Sequence, residues 1–150
     1  MSKTYTRIIY QVVFSTKHRR PTLLGQPERE RLFLQMRQVL KNRKCHFYRA
    51  GGVEDHLHLV FALHPAVALS ALVKEIKLSS SDFIKAHRLF PHFDYWQVGY
   101  GAFTYTPKVL PRLIPYVRNQ VDHHRGETSA DELRRLLEFH GIEYEEHYFE

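Results

Sequence analysis

The sequence predicts an α+β fold in which helices lie on an antiparallel sheet, with the elements in split βαβ order. Three observations carry this reading. Residues 8–14 and 55–63 alternate side chains with the period of two that a strand imposes. Residues 27–43, 67–88 and 107–125 instead repeat apolar residues at a spacing of three and four, the helical period. The composition, 43% hydrophobic and 25% charged over 150 residues, suits one globular domain that buries its own core. Strand, helix, strand, strand, helix, strand, helix is the order of ferredoxin-like and RRM-like folds, which host many activities and decide none alone.

In chain order, Ile8, Tyr10, Val12 and Phe14 give the first strand an apolar face. A basic loop follows, from Lys17 to Arg20 and Pro21. Pro27 suits a first helical turn, and Leu32, Met36, Val39 and Leu40 form the buried stripe of a helix over 27–43. Residues 45–50 form the second strand, with Gly51-Gly52 as a bend or bulge. In the third strand Leu57, Leu59, Phe61 and Leu63 fall on one face, and His56, His58, Val60 and Ala62 on the other. Pro65 ends it. Leu69, Leu72, Val73, Ile76, Phe83 and Ile84 predict one or two helical segments within 67–88. Residues 96–106, rich in aromatics, predict a fourth strand softened by Gly99 and Gly101. Thr106-Pro107 reads as an N-cap and first-turn proline of a helix reaching about Arg125. Pro111 and Pro115 each remove a backbone donor there, which predicts a late start or a bend just before Tyr116. A short helix over 130–140 is closed by Gly141.

Twenty-two Lys and Arg against sixteen Asp and Glu give a net charge of +6, unevenly spread. Residues 127–150 hold eight acids and two bases, so residues 1–126 carry a net +12. A body this basic attracts polyanions, nucleic acid foremost. We read 1–126 as the functional body and 127–150 as an acidic helix and tail of the same domain, which shields the basic groove or covers a sheet edge. Cys45 is the lone cysteine, so an intramolecular disulfide and a Cys-rich zinc cage are excluded. The N-terminus lacks a signal-peptide pattern and residues 59–63 are the longest apolar run, which predicts a soluble, cytoplasmic protein with no membrane partner.

Two constellations could do chemistry. His56 and His58 share one face of a strand, so two imidazoles can converge on one metal ion. The alternative is a solvated surface pair. Tyr116, Asn119, Gln120 and His123 share one polar helix stripe beside the apolar arc of Leu110, Leu113, Ile114, Val117 and Val121. A phenol beside an amide oxygen, near two histidines, suits a nucleophile-and-metal site; the alternative is a tyrosine used for packing.

The double-histidine strand (Gly52 through Val60) and Tyr116-Val117-Arg118-Asn119-Gln120, with the Val13–Pro21 opening and Trp96–Phe103, resemble the single-tyrosine HUH transposases of the insertion-sequence 200/605 type, including REP-associated tyrosine transposases. The resemblance covers nearly the whole chain. It implies His56, His58 and Gln120 as metal ligands, Tyr116 as nucleophile and Asn119 in support. With no thiolate in the donor set, Mg²⁺ or Mn²⁺ fits better than structural zinc. It further implies cleavage and rejoining of single-stranded DNA, often at hairpin ends, through a 5′-phosphotyrosine. A homodimer, with active sites shared between subunits in some members, belongs to the same expectation. Lys17, Arg19, Arg20, Lys74 and Lys77 are the expected phosphate contacts. Three competing readings remain: a nucleic-acid-binding protein of this fold that has lost cleavage, an RNA-recognition-like module, and a hydrolase of small phosphoesters. The second is disfavoured because the central strand offers histidines instead of stacking aromatics. The third would not need the basic surface.

Overall fold

The two alternating segments become the centre of the sheet. In the computed structural model, which describes residues 3–149, β1 (Ile8–Ser15) and β3 (His56–Leu63) pair antiparallel along their whole length. Val13 stands opposite His58, and Ser15 opposite His56. β4 (Gly101–Tyr105) adds to the other edge of β1, and β2 (His46–Gly52) to the other edge of β3. The order is therefore β2-β3-β1-β4, with every pair antiparallel. The fold is α+β, as the sequence predicts.

One face of the sheet is apolar because the pleat sends Val12, Phe14, Leu57, Leu59 and Phe61 the same way. α1 (Gln26–Asn42) and α2 (Leu69–Ala86) cover it with Leu32, Met36, Leu40, Leu72, Val73 and Ile76. Each fully buried side chain of this kind stabilises the fold by roughly 1.5–3 kcal/mol. Trp96 closes the end of this core. Its ring meets Phe14 and Phe93 edge-on, each at 4.9 Å, and its Nε1 donates to Ser80 Oγ at 3.0 Å.

The second face is covered too, by α3 (Leu110–Arg118), α4 (Gln120–His123) and α5 (Ser129–Phe139). α3 lays Leu110, Leu113 and Val117 on Ile9 and Val60. α5 lays Leu133, Leu136 and Leu137 on Val13 and Phe103. The acidic segment was expected to shield the basic groove or cover a sheet edge; its helix α5 covers a sheet face instead.

The one or two helical segments expected within 67–88 are a single helix, Leu69–Ala86, which agrees with the expectation. Three local expectations need correction. The strand over 96–106 shrinks to Gly101–Tyr105; Trp96 keeps only an isolated bridge to Thr16, and the loop between is tied to Lys77. The irregularity in β2 falls between Phe47 and Arg49, while Gly51 and Gly52 stay in the strand. The span 107–125 is three pieces: a 3-10 turn (Pro107–Val109), α3 and α4. Pro111 sits in the first turn of α3, where its missing donor has no partner to lose. Pro115 is tolerated inside α3, and the chain leaves the helix at Asn119, after Tyr116 and not before it.

Gly51 explains how α3 lies so low. A Cβ there would stand 1.7 Å from the carbonyl oxygen of Val117. Only a glycine lets the backbone of the tyrosine-bearing helix approach the sheet this closely.

Candidate active site

The pleat of β3 aims His56 and His58 at the gap between α3 and α5. Both are enclosed, at 1% and 0% exposure, so the alternative of a solvated pair does not hold. Burying two imidazoles requires partners for both nitrogens of each ring. Asp55 Oδ1 lies 2.7 Å from His56 Nδ1, and Gln11 Oε1 lies 2.7 Å from His58 Nδ1. Gln11 projects from β1 on the same face, and its Nε2 donates to the Tyr105 hydroxyl at 2.7 Å. That bond leaves its carbonyl oxygen to accept from His58 Nδ1, which favours the Nδ1–H tautomer of the neutral ring.

Both ε-nitrogens point at Glu132 of α5, which is itself 1% exposed. Glu132 Oε1 is 3.1 Å from His56 Nε2, 2.8 Å from His58 Nε2 and 3.0 Å from His124 Nε2. Its other oxygen, Oε2, accepts the Tyr116 hydroxyl proton and lies 3.3 Å from Gln120 Nε2. Arg135 Nη2 donates to the Tyr116 oxygen at 3.0 Å, and the same guanidinium pairs with Glu127 at 3.1 Å. Ser129 Oγ donates to Asp55 Oδ2 at 2.8 Å. Ser129, Glu132 and Arg135 recur every three residues on α5, so one helix face supplies three groups to the site.

Sequence reasoning did not single out Glu132, Arg135 or Ser129. A signal was present: Glu132 falls on the stripe formed by Leu133, Leu136 and Leu137, where an unpaired carboxylate would not be tolerated.

The electrostatics follow from this enclosure. Burial works to raise the Glu132 carboxyl, but the surrounding histidines hold it far below the usual carboxylate range. Burial lowers His58. Burial also opposes the charged form of His56, yet its bonds to Asp55 and Glu132 prevail and raise it. Burial and the Glu132 charge push the Tyr116 phenol above its ordinary value, against a smaller opposing pull from Arg135.

The remaining expected residues are placed as follows. Gln120 is fully buried; its Oε1 lies 2.9 Å from His124 Nε2 and its Nε2 donates to the Tyr116 carbonyl oxygen at 3.2 Å. Asn119 stands exposed at the break between α3 and α4. Arg20 and Lys74 are exposed, and Lys17 is exposed with Asp94 Oδ2 at 3.4 Å. Arg19 lies over the rings of Tyr148 and Phe149, 5.8 and 5.4 Å from their centres. Lys77 is turned inward and donates to the carbonyls of Gln97 (2.8 Å) and Gly99 (2.7 Å), so most of its donors serve the fold. Desolvation lowers its pKa to about 8.

The chain and its fold have relatives. Residues 4–120 match the family model described as Transposase IS200 like. The chain belongs to the IS200-like transposase family. A solved structure of a protein from Deinococcus radiodurans R1, assigned as a transposase, shares 21% identity and a TM-score of 0.59, covering 80% of this chain and 96% of its own. A REP-associated tyrosine transposase, solved bound to a REP hairpin, shares 18% identity and a TM-score of 0.55, covering 78% and 68%. No curated protein is a significant match to the chain. The family segment contains His56, His58, Tyr116 and Gln120, whereas His124, Glu132 and Arg135 lie beyond it.

A divalent cation, which the family resemblance implies, suits the histidine pair. Each Nδ1 is locked by an oxygen acceptor, the outer-shell arrangement that fixes metal-binding imidazoles, and the ε-nitrogens converge. No helix among the described residues is long and apolar enough to cross a membrane.

Proposed function

We propose that this transposase cleaves and rejoins single-stranded DNA through a 5′-phosphotyrosine at Tyr116, with a divalent cation, Mg²⁺ or Mn²⁺, held by His56, His58 and Gln120. One observation carries the reading: within one chain the Tyr116 hydroxyl and both histidine ε-nitrogens meet at the same carboxylate. A bound cation would polarise the scissile phosphate and stabilise the charge that builds in the transition state.

The protein's own residues account for the rest. Gln11 and Asp55 orient the imidazoles. Arg135, donating to the Tyr116 oxygen, favours the phenolate as its proton leaves. The Tyr116 oxygen bonds to phosphorus and the bond to the 3′-oxygen breaks, leaving a free 3′-hydroxyl. The phosphotyrosine keeps the energy of the phosphodiester, so the reverse attack by another 3′-hydroxyl rejoins DNA without ATP. Asn119, at the exposed break beside Gln120, supports this turn.

Lys17, Arg20 and Lys74 meet backbone phosphates at the surface; Arg19 and Lys77 act from more enclosed positions. Tyr95, Tyr100 and Val98 border Lys74 and Lys77 in a groove of about 300 Å³, where an unstacked base fits beside the charges. Hairpin ends suit this surface, by analogy with the relative bound to a REP hairpin. A homodimer would bring two ends together for exchange, each site using its own chain's tyrosine, in the cytoplasm where DNA is met. The acidic 127–150 segment works as part of the 1–126 body, not as a separate domain.

The test is incubation with labelled single-stranded DNA and Mn²⁺. A covalent adduct forms and Tyr116→Phe abolishes it; an adduct that survives the substitution removes Tyr116 from the reaction. The enclosure of the histidine pair favours one other reading, a DNA-binding protein of this fold without cleavage. The wild-type chain would then bind the DNA and form no adduct.

A further inference from the structure

The family segment ends at residue 120, yet the polar cluster around the histidines does not. His124 projects from the end of α4 and brings a third imidazole to the same oxygen of Glu132. Its Nδ1 faces the carbonyl oxygen of Glu127, just as His56 faces Asp55 and His58 faces Gln11. One ligand atom each from His56, His58, His124 and Glu132 falls within 4.8 Å of the others.

Counting protons shows what this arrangement demands. Three neutral imidazoles carry three protons. Their three δ-nitrogens face oxygen acceptors and use all three. Their three ε-nitrogens then aim lone pairs at Glu132 Oε1, an anionic oxygen with lone pairs of its own, and His124 Nε2 also meets the Gln120 amide oxygen, Oε1, at 2.9 Å. Four electron-rich atoms facing one another in a buried site repel unless positive charge lies between them. Extra protons on the rings are one source of that charge. A single divalent cation is the other, and it satisfies all four atoms at once.

The spacing agrees. Ligands bound at about 2.0–2.1 Å to an ion with octahedral preference stand about 3 Å from their neighbours. Glu132 Oε1 lies 2.8–3.1 Å from the three ε-nitrogens. A carboxylate that merely filled the gap would not need every δ-nitrogen locked so that every ε-nitrogen faces inward.

We propose that His124 and Glu132, both from beyond the family segment, complete the cation site: Glu132 ligates the ion through Oε1 and holds the Tyr116 hydroxyl through Oε2. The carboxylate thereby ties the nucleophile to the ion and sets their separation. Glu132 is a ligand and a positioning residue. Three imidazoles also move the preference from Mg²⁺ towards Mn²⁺, because nitrogen donors suit transition ions better. The ligand half of the inference stands on the cluster alone; the positioning half rests on Tyr116 as the nucleophile proposed above.

The experiment is a Mn²⁺ titration of the intact protein, followed by loss of the free aqueous Mn²⁺ resonance signal. Wild type takes up one ion per chain. Glu132→Gln weakens uptake at least ~100-fold and His124→Ala at least ~10-fold, while Glu132→Asp keeps it within ~10-fold of wild type. Circular dichroism reports whether each variant is folded. Should Glu132→Gln fail to fold, His124→Ala and Glu132→Asp decide. Mn²⁺ at about 100 times the wild-type Kd raises the Tm of wild type by several times the rise in Glu132→Gln. Uptake by Glu132→Gln equal to or tighter than wild type overturns the proposal and makes the carboxylate a plug in the ion's place. No uptake by folded wild type overturns it as well. Weakened uptake in the variants, with no DNA adduct in wild type, leaves the ligands standing and removes the cleavage reading instead.

Discussion

Replacing Gly51 by alanine tests how the tyrosine is positioned, because it moves α3 without touching any polar group of the site. The added Cβ would stand 1.7 Å from the Val117 carbonyl oxygen and 2.7 Å from its carbon. Both atoms are backbone, so no side-chain rotation relieves the clash. The oxygen must retreat by about 1.7 Å to reach ordinary contact at 3.4 Å. Val117 is fully buried and follows Tyr116 directly, so the nucleophile moves with it. Overpacking of this kind costs about 3 kcal/mol, the upper end of its usual range. In a chain of this size that lowers the Tm by roughly 6–12 °C. A displacement of this size at the reacting group slows adduct formation by about 10²-fold. Differential scanning calorimetry and the Mn²⁺-dependent DNA adduct assay measure the two effects. Gly126→Ala is the control, because its nearest obstruction is His123 O at 4.0 Å. A Gly51→Ala protein with wild-type Tm and an adduct rate within twofold of wild type would refute the close-approach argument.

Lys77→Met strips the donor from the Gln97 and Gly99 carbonyls and lowers the Tm. Burial holds the ammonium's pKa at about 8 against 10.5 for the unfolded chain, so between those values the unfolded state binds the extra proton and wild type gains stability as pH rises. The Tm gap to Lys77→Met therefore widens from pH 7.5 to pH 10, and a constant gap would contradict this. Thr128→Ala removes the side-chain oxygen that accepts from Asp131 N at 3.2 Å and caps α5, costing about 1 kcal/mol and about 3 °C in Tm. An unchanged melt would show the cap to be idle. Binding of single-stranded DNA through Lys17, Arg20 and Lys74 falls about 20-fold between 50 and 200 mM salt, for three phosphate contacts. A flat salt response, read by fluorescence anisotropy, would speak against these contacts.

Where one local signal dominated, the sequence was legible. The period of two in residues 8–14 and 55–63 survives into paired strands because both lie in the sheet centre, where tertiary packing agrees with the pattern. The same agreement holds for α1 and α2, whose stripes face that sheet. Residues 96–106 looked equally strand-like from their aromatics. Yet Trp96 owes its place to Phe14, Phe93 and Ser80, a pocket assembled from three distant segments that no local pattern records. Proline position was legible and its consequence only in part: α3 starts late, at Leu110, but Pro115 sits within it and the break comes at Asn119.

The site divides along the same line. His56, His58, Tyr116 and Gln120 could be grouped from the sequence because strand and helix periods put each pair on one face, and the fold brings those faces together around Glu132. The groups from α5 escaped for a physical reason. The acidic tail invited a reading as a solvated counterweight to a basic body, so each carboxylate in it looked equivalent. Glu132 differs from Asp131 and Glu138 only in pointing along the leucine stripe, hence into the sheet. A buried carboxylate is costly unless several partners meet it. Its place among the leucines was therefore an argument, available in the sequence, that α5 meets polar partners on the histidine face. Charge counted by segment hides such a residue, while charge assigned to helix faces exposes it.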